Sequence, residues 1–127
     1  MELTAIVTDQ APKAIGPYAQ AVRVGNMLYT SGQLGMDLNG NLAEGGIVPQ
    51  TEQVFHNLKA ILLAAGTSLD NVVKATVFIA DMNQFTIVNE IYAAHFGSHK
   101  PARSTVEVSR LPKDALIENE LTAAINK

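Results

Sequence analysis

Two alternating runs near the C-terminal end carry most of the ionisable chemistry in this 127-residue chain. In the first, residues 102–108, Arg103, Thr105 and Glu107 share one face of an extended strand, and Ser104, Val106 and Val108 share the other, because strand side chains alternate. In the second, residues 117–122, Glu118, Glu120 and Thr122 oppose Ile117, Asn119 and Leu121. The simplest sheet sets both charged faces on one side. That side would hold one guanidinium and several carboxylates within about 10 Å, two strand spacings. An arginine fork takes a carboxylate through two parallel hydrogen bonds. If the carboxylate is a neighbouring side chain, the result is a structural ion pair; if it is a small acid, the result is a binding site.

The elements that must position these residues follow from the rest of the chain. With 127 residues, 47% hydrophobic and 17% charged, the chain suits one domain, residues 1–127, with a real core. A net charge of −3 argues against a nucleic-acid footprint. No cysteine is present, which removes disulfides, thiolate catalysis and Cys-based metal sites. No run reaches membrane-span length, and the N-terminus shows no basic segment followed by an apolar one. The expectation is a soluble, cytoplasmic protein.

Taken in order, residues 9–18 form a loop, since two prolines and a glycine forbid regular structure. Ala21–Val24 and Met27–Thr30 flank Gly25-Asn26, a two-residue hairpin signal. Ser31-Gly32-Gln33 follows, where a strand-end glycine marks a bulge or a close backbone approach. Asp37-Leu-Asn-Gly-Asn is a turn before a brief strand near Leu42. From about Val48 to Ala65 the apolar residues Val54, Phe55, Leu58, Ile61, Leu62 and Ala65 recur at helical spacing, with Gly66 as the cap. Residues 72–80 are apolar at both parities, so that strand needs cover on both faces. Two helices pack together on one face; a second copy of the chain in a closed oligomer is expected on the other. Asp81 and Gln84 read as a capping box for a helix buried through Phe85, Val88, Ile91, Tyr92 and Phe96, ending at Gly97. His95 and His99 are four apart, but Gly97 stops the helix between them, so no metal site is expected. The resulting class is α+β, a mixed sheet with two helices on one face.

Pro101-Ala-Arg-Ser-Thr-Val-Glu-Val-Ser-Arg-Leu-Pro-Lys-Asp resembles the C-terminal signature of the YjgF/Rid family of small imine deaminases. Ile15-Gly-Pro-Tyr-Ala-Gln and Thr30-Ser-Gly-Gln match further family segments, and the resemblance runs from Ala14 to Leu121. It implies a chorismate-mutase-like fold and a homotrimer with sites in the clefts between subunits. It also implies hydrolysis of 2-imino acids, such as 2-iminopropanoate and 2-iminobutanoate, to 2-keto acids and ammonia. Such imines arise from enamines released by pyridoxal-phosphate-dependent serine/threonine dehydratases. Carried over by position, Arg103 grips the substrate carboxylate and Glu118 activates water. Tyr18 and Ser31 offer hydroxyls, Gly32 allows close backbone approach, and the chain at Thr105 presents backbone polar groups. The resemblance implies no metal and no organic cofactor.

Two residues depart from the pattern. Thr105 stands where many members have cysteine, and Asn119 where an apolar residue is usual. A buried Asn119 must find partners or cost stability; otherwise the strand is locally exposed. Two other functions stay open at this point. Some members carry an endoribonuclease or translation-inhibitor label, against which stand the acidic charge and the scarcity of aromatics. A non-catalytic module that binds small acids or shields a partner, chaperone-like, is the third.

Overall fold

A computed structural model describes residues 2–125. The chain forms β1 (Leu3–Ile6), β2 (Ala21–Val24), β3 (Met27–Thr30), β4 (Gln33–Leu34), α1 (Ile47–Ala65), β5 (Val72–Ile79), α2 (Phe85–Phe96), β6 (Ala102–Glu107) and β7 (Ile117–Ala124). The strands make one mixed sheet in the order β1-β2-β3-β7-β5-β6, with β4 also paired to β7. β5 and β6 run parallel; the other pairs are antiparallel. The last strand is thus inserted at the centre, and β6 is an edge.

Helix α1 forms where the periodicity places it. Its stripe Val54, Phe55, Leu58, Ile61 and Leu62 is fully buried, and each such side chain contributes about 1.5–3 kcal/mol on burial. Gly66 ends the helix in the left-handed region at φ 86°, its N–H reaching the Leu62 and Leu63 carbonyls, as a C-terminal glycine does. Val88, Ile91, Tyr92 and Phe96 bury the facing stripe of α2. Phe55 meets Tyr92 edge-on at 4.9 Å and Phe96 edge-on at 5.8 Å, which locks the two helices into one layer.

The capping box is half formed. Asp81 accepts from the Asn83 N–H at 3.0 Å, but it caps a single 3₁₀ turn, Met82–Gln84, that precedes α2. Gln84 does not reach back, and its buried Oε1 makes no hydrogen bond. Glu107 at the end of β6 takes the Met82 N–H instead, at 2.8 Å. Strand β1 is an addition that the sequence reading passes over. It is short, mostly exposed, and pairs only with β2.

The placement of the two charged faces corrects the sequence reading. β5 lies between β6 and β7 and pairs with both. Ala75 sits opposite Arg103 on one side and Leu121 on the other; Val77 sits opposite Thr105 and Asn119. Directly paired residues point to the same face of a sheet. Arg103, Thr105 and Glu107 therefore share the helix-covered face with Ile117, Asn119 and Leu121. Glu118 and Glu120 pair with Phe78 and Thr76 and project from the opposite, open face. The alternation within each strand was read as it is observed. The relation between strands depends on register, and a one-residue difference reverses it.

That open face is apolar in part. Tyr29, Val73 and Val106 are each more than 40% exposed, while Phe78 is half-buried against a small second cluster of Leu34, Leu111 and Ala115. On the helix side Val72, Ala75, Val77 and Ile79 are buried. The single chain covers one face of β5 fully and the other only in part.

Candidate functional site

Two open clefts contain Glu118 and Arg103, the two catalytic candidates of the sequence; Glu107 and Glu120 border neither. The first, of about 570 Å³, is bounded by the 12–18 loop, by Ser31, Gly32 and Gln33 at the β3–β4 break, and by Lys113 and Glu118. The second, of about 590 Å³, lies at the outer side of α2 and is bounded by Asn89, Tyr92, Phe96, His99, Lys100 and Arg103.

The first cleft is built around an interruption. β3 and β4 run one after the other along β7, pairing with residues 122–124 and then 118–119. Between them Ser31 and Gly32 leave the ladder. The Thr30 hydroxyl accepts the Leu121 N–H there at 2.9 Å. Gly32 faces Glu118 so closely that a Cβ would lie 2.6 Å from Glu118 Oε2 and 2.8 Å from its Cδ. Its lack of a side chain is what lets the carboxylate occupy that place. Burial, and secondarily the nearby charge of Glu120, hold the Glu118 carboxyl above the usual glutamate range. Both causes disfavour the ionised form.

Gly32→Ala should therefore displace the carboxylate while leaving the fold intact, since the obstructed atoms are the end of a flexible side chain. Activity should fall by about a hundredfold, the cost of roughly 1 Å of misplacement, with little change in melting temperature. Full activity in the folded variant would show that the position of Glu118 is immaterial.

Ser31 and Tyr18 border this cleft in different ways. The Ser31 hydroxyl donates to the Ala19 carbonyl at 2.6 Å, and its N–H donates to the Gln20 carbonyl at 2.9 Å. Its proton is thus committed to holding the loop, and only its lone pairs face outward. Tyr18 is 54% exposed at the cleft mouth. Two residues that the sequence reading did not single out hold the walls. Buried Gln20 accepts from the Thr8 N–H at 2.8 Å and donates to the Thr8 and Pro12 carbonyls at 3.0 and 2.9 Å. Asn57 of α1 donates to the Leu34 and Met36 carbonyls. Gln20 follows the Pro-rich segment and Asn57 lies three residues from Val54 and four from Ile61 on the buried side of α1, but residue type alone does not tell a buried amide from a solvated one.

In the second cleft Arg103 lies against aromatic rings. Its Cζ is 5.4 Å from the Phe85 ring centroid and 5.1 Å from that of Tyr92, a cation–π arrangement. Among the described residues, the contacts between basic and acidic side chains are Arg110–Asp114 and the His95 imidazole with Glu52, so the Arg103 guanidinium has no carboxylate partner. Thr105 is half-buried two residues further along β6 and borders neither cleft. β6 is the sheet edge, so part of its backbone polar groups lacks a neighbouring strand.

The histidines have other partners. His95 Nε2 lies 2.6 Å from Glu52 Oε1, and its ring stacks on Phe55 at 4.3 Å. His99 Nε2 lies 2.8 Å from the Val72 carbonyl oxygen. Asn119 is fully buried, which settles the alternative of a locally exposed strand.

Fold and clefts together define a small α+β protein with a free guanidinium on one face of its sheet and a half-buried glutamate on the other. The family model described as Endoribonuclease L-PSP matches residues 8–125. A RutC family protein of Pyrococcus horikoshii is 56% identical over 93% of this chain and 94% of its own length. Human 2-iminobutanoate/2-iminopropanoate deaminase is 50% identical over 93% of this chain and 87% of its own length. The crystal structure of Escherichia coli TdcF with bound serine superposes with a TM-score of 0.91 at 42% identity, covering 97% of this chain and 99% of that one. The chain belongs to the endoribonuclease L-PSP family, the YjgF/Rid family to which its sequence points. No helix of the described residues is long and apolar enough to cross a membrane.

Proposed function

We propose that the protein hydrolyses small 2-imino acids to 2-keto acids and ammonia, at sites shared by two copies of the chain in a closed homotrimer. The observation that carries the reading is the unpaired Arg103 guanidinium. It lies on two aromatic rings at a cleft, while the half-buried Glu118 opens from the other face of the same sheet. Neither cleft alone brings Arg103 and Glu118 together. A copy whose Arg103 edge docks beside the Glu118 cleft of its neighbour would complete a site, and it would cover the open apolar face.

In that site the two guanidinium N–H groups of Arg103 bind the substrate carboxylate. Glu118 takes a proton from water as oxygen adds to the imine carbon. The C=N π electrons move to nitrogen, giving a tetrahedral carbinolamine. Glu118 returns that proton to nitrogen, giving the neutral amine of the carbinolamine; the hydroxyl proton then passes to nitrogen as the oxygen lone pair forms C=O, the C–N bond breaks and ammonia departs, leaving Glu118 ionised as it began. Tyr18, the Ser31 lone pairs and the Gly32 backbone border the Glu118 cleft; the Thr105 backbone, which borders neither cleft of the single chain, would join them only when the β6 edge of a second copy docks there. The scheme balances with water as the sole co-reactant. A nuclease reading finds less support, because the chain as a whole carries a net charge of −3 and so lacks the basic balance that draws nucleic acid.

The test couples a serine or threonine dehydratase to the assembled protein and follows disappearance of the imine. Loss of the imine should accelerate in proportion to added protein. An unchanged rate, with the assembly intact, would leave the non-catalytic reading in possession of the field.

A further inference from the structure

The helix-covered face holds buried polar atoms that this hydrolysis leaves unused. Asn119 is fully buried, yet its Nδ2 and Oδ1 make no hydrogen bond; neither does the Oη of buried Tyr92. Buried polar groups without partners are costly and uncommon. An apolar side chain would occupy the middle of β7 without that cost. What surrounds these atoms is specific. Asn119 lies in one row with Val77 and Thr105, and Arg103 follows on the same face of β6. The ring of Tyr92 is the surface on which the Arg103 guanidinium rests, at 5.1 Å. Burial pushes the Tyr92 hydroxyl well above the usual tyrosine range, and the Asn119 carboxamide and the Arg103 charge draw it partly back. The three groups therefore act on one another, although the amide and the hydroxyl stop short of a well-formed hydrogen bond.

We propose that Asn119 and Tyr92 form a positioning pair for Arg103. The carboxamide oxygen accepts a hydrogen bond from the Tyr92 hydroxyl when an acid is bound, fixing the ring plane and enriching its π face. The guanidinium stacked on that face is then aimed so that its fork meets the carboxylate. A long arginine loses much rotamer freedom when it binds; a platform that restricts it beforehand reduces that loss. The proposal rests on the reading of Arg103 as the carboxylate clamp.

The test measures binding to the assembled protein, using 2-oxobutanoate as a stable probe in place of the imine. Calorimetry supplies Kd. Protein labelled with 3-fluorotyrosine supplies a spectroscopic signature from the three tyrosines, Tyr18, Tyr29 and Tyr92, with Tyr92→Phe assigning the buried one. The Tyr92 signal should move on saturation with the probe. Kd should rise about five- to tenfold in Asn119→Leu and equally in Tyr92→Phe. The double variant should be no weaker than either single, as coupled neighbours are. Tyr92→Phe removes one oxygen and keeps the ring, so the test survives if Asn119→Leu folds poorly. A purely structural role would change melting temperature and leave both Kd and the fluorine shift as they are. Unaltered Kd in both variants, with binding lost in Arg103→Ala, overturns the positioning role and spares the clamp. Unaltered Kd in Arg103→Ala overturns the clamp, and this proposal with it.

Discussion

Arg103→Ala and Glu118→Gln should each abolish imine hydrolysis, and a mixture of the two inactive proteins should recover about a quarter of it. The loss follows from the chemistry of the clamp. A hydrogen bond to a charged group contributes roughly 1.5–3 kcal/mol, and the fork makes two. At about 1.4 kcal/mol per factor of ten, removal of the guanidinium should cost about 10²- to 10⁴-fold. The fold should survive, because Arg103 sits half-buried on an edge strand with no ion pair to leave broken. Its stacking on Phe85 and Tyr92 contributes on the order of 0.5–1 kcal/mol.

The recovery follows from topology. Arg103 and Glu118 project from opposite faces of the sheet, so one chain cannot bring them together on one small acid. In the closed ring proposed here, with sites between neighbours, each site would draw its arginine from one copy and its glutamate from the next. When equal amounts of the two variants are unfolded and reassembled together, about one site in four receives both intact residues. The measurement is turnover after co-assembly against turnover of the two proteins mixed after separate assembly. A co-assembled sample that stays at background would mean that clamp and base belong to the same copy, or that one of them has been misassigned.

The same topology shows where the sequence was legible and where it was not. Signals confined to one element were sound. The Gly25-Asn26 turn makes its hairpin, the α1 stripe is buried as its spacing requires, and β7 alternates as read. Each depends on residues a few positions apart. The relation between the Arg103 and Glu118 faces depends instead on β5, about 30 and 40 residues away, which pairs with both strands and fixes their registers. Nothing in either strand encodes that choice. Gln20, whose side chain ties down the loop from Thr8 to Pro12, was invisible for a related reason. A buried glutamine and a solvated one look alike until their partners are known. The resemblance located Glu118 and Arg103 without saying that they face apart.

Glu118→Gln should do more than stop the reaction; it should also remove the acid limb of the pH–rate profile. Loss of a general base typically costs 10²- to 10⁴-fold. In the folded chain burial comes first, and the charge of Glu120 second, in raising the Glu118 pKa. The base must be ionised to act. Wild-type kcat should therefore climb with pH through a value above the ordinary glutamate range, and fall as pH is lowered through it. At saturating substrate the proposed Arg103 clamp would be occupied by the bound acid, so this limb would report the surroundings of Glu118 itself. Stability runs the other way. A carboxyl with a raised folded pKa contributes stability below its unfolded pKa and loses it as pH rises through the folded one. Above that window the glutamine, which never has to ionise, should leave the chain at least as stable as wild type. Turnover falling while stability holds or rises is a pair of signs that a damaged fold cannot produce. A Glu118→Gln protein that keeps the acid limb would place the base on another residue.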